Sequence, residues 1–320
     1  MAEHDHVAVP VAVAVIGVGE LGSRHARLYA ELDVAELIGV ADIESTRCRQ
    51  ISERYGVRGV TDFNELVADV QAASVAVPTV DHEAITTTLL DAGVHVLVEK
   101  PIAPTLEEAL RMTTLAREKN LRLAIGHTER YNPGVEAVLA QVKDPRFIEV
   151  HRLGSFSPRS LDIDVVLDLM IHDLDVVRAL VGREVVSVEA VGVPVLTPRV
   201  DIANARLKFE GGAVANITAS RVSQEKIRKL RVFEHDRYVS LDYQSQEAVR
   251  FQLVPSSDGS DGGRPNIEKD DLDVHNAEPL RRELEDFLDA VASGRDPRVD
   301  GDDGRAALEL ALRVVDAMAD

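Results

Sequence analysis

Asp164, Asp168, His172 and Asp175 interrupt an otherwise apolar run, DVVLDLMIHDLDVV over residues 164–177, at helical spacing. On an α-helix, at about 100° per residue, these four side chains fall within roughly 80° of one another, and Asp173 points the opposite way. A carboxylate or imidazole on a helix suited to burial is costly unless it is paired or used, so the stripe asks for a functional explanation. Asp168 and His172 stand one turn apart. A carboxylate beside an imidazole orients the ring and stabilises its protonated form, as a proton-transfer histidine requires. For the other two the plainer expectations are Asp164 as a helix cap and Asp175 as the partner of an arginine.

A second chemical pattern lies near the start. The β-branched run Val11 to Ile16 reads as a buried parallel strand, and it leads directly into Gly17-Val18-Gly19-Glu20-Leu21-Gly22 and a helical segment ending near Leu32. Between a strand and a helix this spacing has mechanical sense. Gly17 permits the turn, Gly19 lets the backbone approach a pyrophosphate, and Gly22 lets the helix pack closely, with Glu20 and Leu21 opening the helix at the phosphates. Asp42 follows a strand at 36–40, about 20 residues past the last glycine, where an acid accepts both ribose hydroxyls of an adenosine and repels a 2′-phosphate. This favours NAD over NADP, while Arg47 and Arg49 offer cations that could hold such a phosphate.

These groups need a scaffold, and the chain supplies alternating elements: helix 45–55, strand 59–60, a helix from Asp62, strand 74–77, helix 81–92, strand 95–98, helix 106–118 and strand 122–125. Such alternation implies βαβ units and a doubly wound parallel sheet, whose ligands sit beyond the carboxyl ends of the strands. Pro78-Thr79, Glu99-Lys100-Pro101 and Gly126-His127 all follow strand ends. Pro101 is a candidate cis-proline, and Lys100 before it would present its ammonium where a nicotinamide ring should lie.

After His127 the rhythm changes. A short helix at 133–142 and the polar-striped helix precede strand-like runs at 185–193, 202–210, 213–221, 229–234, 237–243 and 248–254, several of them alternating, which reads as a mostly antiparallel sheet with one wet face. Residues 255–271 read as a mobile loop, and helices at 279–293 and 303–319 close the chain. The expected fold is α/β: a Rossmann domain over residues 1–126 and an α+β domain with an open sheet over 127–320.

Composition sets the outer limits. With 320 residues, 45% of them hydrophobic and 28% charged, two globular domains are the default. The formal net charge of −19 argues against nucleic acid or an anionic membrane surface as partner. Cys48 is the only cysteine, which excludes an intrachain disulfide framework. The first ten residues carry no positively charged leader, and the run 11–19 is too short to span a bilayer, so a cytoplasmic protein is expected. Asp168 and His172 lack a further set of residues at ligand spacing, so no metal is expected.

The glycine motif, Val98-Glu99-Lys100-Pro101, the Asp168/His172 pair, Glu283-Leu284-Glu285-Asp286-Phe287 and Asp300-Gly301 together resemble the glucose-fructose oxidoreductase, inositol dehydrogenase and MocA family, over essentially the whole chain. The resemblance implies NAD or NADP chemistry, and a second domain whose sheet forms subunit contacts in a homodimer or homotetramer. It implies that Pro78, Thr79, His82 and Glu99 lie about the cofactor, with His82 on the nicotinamide side. Gly126 to Pro133, Phe156 to Ser160 and Ile202 to Leu207 look like those of members that oxidise the 3-hydroxyl of UDP-N-acetylglucosamine, supplying a 3-oxo sugar for amination in lipid A synthesis. Arg130, Asn132, Arg159 and Arg221 are then candidate substrate contacts, since arginines fork well onto a diphosphate. Many relatives carry glycine two residues after the aspartate of Asp-x-x-x-His; here that residue is Met170, a side chain expected to alter the pocket wall.

The expected reaction removes a hydroxyl proton while hydride passes from the carbinol carbon to C4 of the nicotinamide. His172 is the expected base, oriented by Asp168, with Lys100 hydrogen-bonded to the reacting oxygen. Lys100 as base is the reverse assignment. A dehydrogenase of another sugar or a cyclitol such as inositol, and a sensor that binds NAD without turnover, are the alternatives.

Overall fold

A computed structural model describes residues 9–156, 163–254 and 266–319. The chain divides into two compact units, residues 1–127 with 280–306, and 128–279 with 307–320.

The first unit is built on strands β1 (Val11–Ile16), β2 (Ala35–Ala41), β3 (Arg58–Val60), β4 (Ala72–Val75), β5 (His95–Glu99) and β6 (Leu123–Gly126). They lie in the order β3-β2-β1-β4-β5-β6 with every pair parallel. The order reverses between β1 and β4, and the crevice of a doubly wound sheet opens at that point. Helices α1 (Glu20–Glu31), α2 (Ser45–Tyr55), α3 (His82–Asp91) and α4 (Leu106–Glu118) connect the strands. Thr105 and Glu108 close a reciprocal capping box on α4, which fixes where that helix begins. The helix expected from Asp62 is absent. Two short 3₁₀ turns, Phe63–Glu65 and Val67–Asp69, take its place, the first of them capped by the Asp62 carboxylate, which accepts the Asn64 N–H at 3.0 Å.

A division at 126/127 would give the whole C-terminal stretch to the second domain, but residues 280–306 belong to the first unit. Leu280, Leu284, Phe287 and Leu288 of the helix Pro279–Ser293 are buried in one cluster with Val13 and Val15 of β1 and Leu28 and Tyr29 of α1. Asp300 bridges Ala124, so the returning chain also covers the free edge of β6.

The second unit holds an eight-stranded sheet made of β7 (Phe147–Leu153), β8 (Val185–Val193), β9 (Ile202–Phe209), β10 (Val214–Ser220), β11 (Ile227–Phe233), β12 (Arg237–Asp242), β13 (Glu247–Val254) and β14 (Asn266–Asp271). Their order is β14-β13-β12-β11-β7-β10-β9-β8, antiparallel except for the β7–β10 pair. β7 lies in the interior of this sheet although its sequence, FIEVHRL, is absent from the expected strands, and β14 occupies residues expected as part of a loop. Alternate residues such as Ile148, Val150, Leu207, Ile217, Leu230 and Leu241 face one core with Val166, Met170, Leu174 and Val177. Helix α5 (Pro133–Gln141), a π-helical turn (Val166–Met170) and α6 (Ile171–Val181) also belong to this unit. The last two helices of the chain are α7 (Pro279–Ser293) and α8 (Gly301–Ala317).

Candidate active site

In the first unit a cleft of about 760 Å³ opens beyond the carboxyl ends of β1, β2 and β4, lined by Gly17, Gly19, Asp42, Arg47, Phe63, Pro78 and neighbouring residues. The glycines are required individually. Gly17 has φ +82°, and a side chain there would stand 2.7 Å from the Ala76 carbonyl oxygen; one on Gly22 would stand 1.8 Å from the Gly17 oxygen. At Gly19 nothing lies within 4 Å, so the backbone is bare toward open space. The N-cap of α1 is Gly19, which brings no side chain to the first N–H groups of the helix at this loop. A helix N-terminus behind a glycine loop suits the pyrophosphate of a dinucleotide, and the size of the cleft suits its adenosine half.

Asp42 closes the far side. Its Oδ2 accepts the Val18 N–H at 2.9 Å, which ties the glycine loop to the end of β2. Burial works to raise the Asp42 carboxyl, but hydrogen bonds from Arg47, Glu44 and Val18 outweigh it and hold it below the usual carboxylate range.

Lys100 follows β5, half-buried, and the Lys100–Pro101 peptide is cis. Buried groups frame it. Glu99 Oε1 lies 3.1 Å from His25 Nε2, and Glu99 Oε2 accepts the Lys100 N–H at 3.3 Å. A side chain on Gly126 would collide with this carboxylate, so β6 must end in glycine beside it. The ring nitrogens of His82 lie 2.9 Å from the Pro101 oxygen and 3.0 Å from the Val77 oxygen, joining the chain after β4 to the chain after β5. Burial keeps this imidazole below the usual histidine range despite those carbonyls. Pro78 lines the cleft and Thr79 opens the 3₁₀ turn that leads into His82.

In the second unit Asp168 and His172 are both half-buried, one in the π-helical turn and the other in the first turn of α6. The Ile171 N–H bonds to the Val166 oxygen, five residues back. The stripe therefore does not keep a uniform 100° per residue, since a π turn spreads its residues over a wider circle. Met170 points into the apolar core and is fully buried. Asp164 does not cap the helix; its Oδ1 accepts the N–H of Val200 at 3.0 Å. Asp175 pairs with Arg130, Nη1 to Oδ1 at 3.2 Å, and burial pushes its carboxyl up to about 6 while Arg130 and Arg178 pull it back.

Asp173 is fully buried as well. Arg152 on β7 forks onto it at 2.7 and 2.9 Å and donates to Glu129 Oε1 at 3.0 Å. Burial works against the charge on Arg152, but the Asp173 and Glu129 carboxylates outweigh it and hold the guanidinium cationic. Asn132 caps α5 through the Gly134 N–H and reaches Glu129 and the Tyr243 oxygen with its amide nitrogen. Arg221 is buried beside Asp201 and donates to the backbone oxygens of Ile163 and Val200. Arg159 lies outside the described residues.

Two family models cover most of the chain: an oxidoreductase family with an NAD-binding Rossmann fold matches residues 11–127, and the GFO/IDH/MocA C-terminal domain matches 135–235. The chain belongs to the Gfo/Idh/MocA oxidoreductase family. It is 40% identical over 301 residues to the UDP-N-acetylglucosamine 3-dehydrogenase of Acidithiobacillus ferrooxidans, covering 94% of this chain and 95% of that one. A solved structure of that enzyme superposes with a TM-score of 0.90 at 38% identity, covering 97% of this chain and 99% of that chain. The inositol 2-dehydrogenase of Rhizobium meliloti is 26% identical over 326 residues, 97% of each chain.

As a Gfo/Idh/MocA oxidoreductase the chain carries its expected site residues in two groups. Gly17, Gly19, Asp42 and Pro78 line the cleft, with Glu20, Leu21 and Gly22 at the start of α1 behind it. Glu99 and His82 are buried around Lys100. Asp168, His172, Arg130, Asn132 and Arg221 lie in the second unit, and each of the last three has a bond within that unit. Sequence reasoning missed Arg152, whose only signal was the alternation of an unassigned strand.

Proposed function

We propose that this oxidoreductase oxidises the 3-hydroxyl of UDP-N-acetylglucosamine to a ketone with NAD as cofactor. The observation that carries the substrate is the end-to-end similarity to a UDP-N-acetylglucosamine 3-dehydrogenase at 40% identity, against 26% for an inositol dehydrogenase. NAD over NADP rests on the ionised Asp42 at the cleft, where a carboxylate suits two ribose hydroxyls and repels a 2′-phosphate.

NAD, held by the glycine loop and Asp42, supplies the hydride acceptor. His172 takes the hydroxyl proton, Asp168 orients its ring, and Lys100 donates to the oxygen as it gains negative charge. A 3-oxo sugar is in turn a substrate for amination, and a cytoplasmic location follows from drawing on the cellular NAD pool. Copies of the chain pair through the outer face of the eight-stranded sheet, where Phe233, Tyr238 and Phe251 stack with centroids 5.1 and 4.5 Å apart and Phe147 lies tilted against Phe233 at 5.8 Å, four strands in all.

NADH formation at 340 nm tests the reading, with UDP-N-acetylglucosamine, free sugars and myo-inositol, and an aminotransferase with its amine donor present to draw off the ketone. Turnover with the nucleotide sugar is expected. Turnover confined to a free polyol would overturn the substrate and keep the dehydrogenase; bound NAD without turnover on the panel would favour a sensor.

A further inference from the structure

His25 is fully buried on α1, and its Nε2 lies 3.1 Å from Glu99 Oε1 at the end of β5. A carboxylate only accepts, so Nε2 carries the proton in this bond. Nδ1 is buried too and has no hydrogen-bond partner among the described residues, which leaves the ring one polar tie, to Glu99. The other oxygen of Glu99 accepts the Lys100 N–H at 3.3 Å. The end of β6 closes in as well, since a Cβ on Gly126 would stand 2.6 Å from that same oxygen. The carboxylate is therefore held between α1 and β6, and it is joined to the backbone from which the Lys100 side chain springs. One helical turn on, Tyr29 makes a comparable buried bond, its hydroxyl 2.8 Å from Ser74 Oγ on β4, which involves neither β5 nor Lys100.

We infer that His25 is a positioning residue: through Glu99 it holds Lys100 where the ammonium meets the reacting oxygen, and it links that placement to α1, the helix that opens at the glycine loop. This rests on the assignment of Lys100 to the reacting oxygen above. Without the imidazole the Glu99 carboxylate keeps its bulk but loses the donor that fixes its rotamer, so the start of Lys100 is no longer held. A displacement of about 1 Å at a reacting group is enough to cost about 10²-fold in rate. A merely structural His25 would lower stability and leave the turnover of the folded enzyme unchanged, as is expected of Tyr29.

The test is steady-state kinetics on the full chain with NAD and UDP-N-acetylglucosamine, or the sugar turned over in its place, beside the NADH Kd from nicotinamide fluorescence. Gln and Met have nearly the same length, and a Gln amide nitrogen reaches about as far as Nε2, so His25→Gln keeps the donor that His25→Met removes. His25→Met is expected to lower kcat by about tenfold or more with the NADH Kd changed less than about threefold, and His25→Gln to stay within about threefold of the wild type. In a Lys100→Ala background His25→Met should lower kcat by less than about threefold further, because the group it positions is gone. Tyr29→Phe is the control, expected to lower Tm and leave kcat unchanged; His25→Leu replaces the methionine variant if circular dichroism shows that it does not fold. An unchanged kcat in His25→Met, equal losses in His25→Gln and His25→Met, or the full loss again without Lys100 would overturn the positioning role. Wild-type kcat in Lys100→Ala would overturn the assignment of Lys100 itself, and with it the role of His25.

Discussion

Lys100 sits between a buried carboxylate and a cis-proline, with His25 and His82 behind it, so its backbone is held by groups that do not themselves line the cleft. If its ammonium stabilises the reacting oxygen, Lys100→Ala removes one well-placed donor, and kcat should fall by about 10²- to 10³-fold. Steady-state kinetics would show this as a drop in kcat larger than any rise in KM; a change in KM alone would argue for a binding role. Asp175 makes a different prediction, about stability. Its buried carboxyl titrates near 6, against an ordinary aspartate near 4 in the unfolded chain. Between those values the folded state holds more protons, so this group favours folding at acid pH and loses that contribution as pH rises through 6. Asp175→Asn, which cannot ionise, should therefore gain on the wild type by about 2–3 kcal/mol between pH 4 and pH 7, read from urea midpoints at the two pH values. A constant difference would show that the carboxyl has the same pKa in the folded and unfolded chain.

The helix that carries His172 is anchored by charge as much as by apolar packing. Arg152 reaches from β7 to Asp173 on α6 and to Glu129 in the 3₁₀ turn Thr128–Tyr131, so strand, helix and turn share one buried cation. A buried pair broken on one side leaves an uncompensated charge, which costs far more than the pair contributes. Arg152→Leu should destabilise the protein by roughly 3–5 kcal/mol in chemical denaturation. Arg152→Leu combined with Asp173→Leu should recover part of that loss, and an additive double variant would mean that the two charges do not act as a pair. The π turn ahead of α6 sets the angular position of Asp168 relative to His172. Sites of this kind often mark function, because the widened turn redirects one side chain without breaking the helix.

Across the chain as a whole, the first unit is completed by residues far from it in sequence. Phe287, fully buried on α7, packs among residues of β1 and α1, and Phe287→Ala should cost about 3–5 kcal/mol of stability in denaturant unfolding. A loss below about 1 kcal/mol would show that α7 is dispensable to that core. The aromatic ladder on the second sheet follows from register, since Phe147 opposes Phe233, Phe233 opposes Tyr238, and Tyr238 opposes Phe251. If copies pair through it, light scattering after size exclusion should give a dimer or tetramer, and Tyr238→Lys should shift the mass toward the monomer. A monomeric wild type would remove the proposed interface.

Short-range patterning was enough for much of this protein. The strand VAVAVI, the three glycines, the acid at 42 and the alternation through residue 125 specify a Rossmann unit, because each is a local demand of backbone geometry or of a two-sided buried sheet. The helices at 45–55, 106–118 and 279–293 and the strand at 185–193 were legible to the residue for the same reason. Tertiary contacts decided the rest. Helical spacing in the 164–177 run concealed a π turn, whose first and last residues, Val166 and Met170, are both buried in the core. The alternation in FIEVHRL was weak until seven residues of β10 and seven of β11 paired with it. That Arg130, Asn132 and Arg221 bind neighbouring protein groups depends on Asp175, Tyr243 and Asp201, partners between 20 and 111 residues away in sequence. No local pattern encodes such a pairing, because burial and the partner's position exist only once the chain has folded.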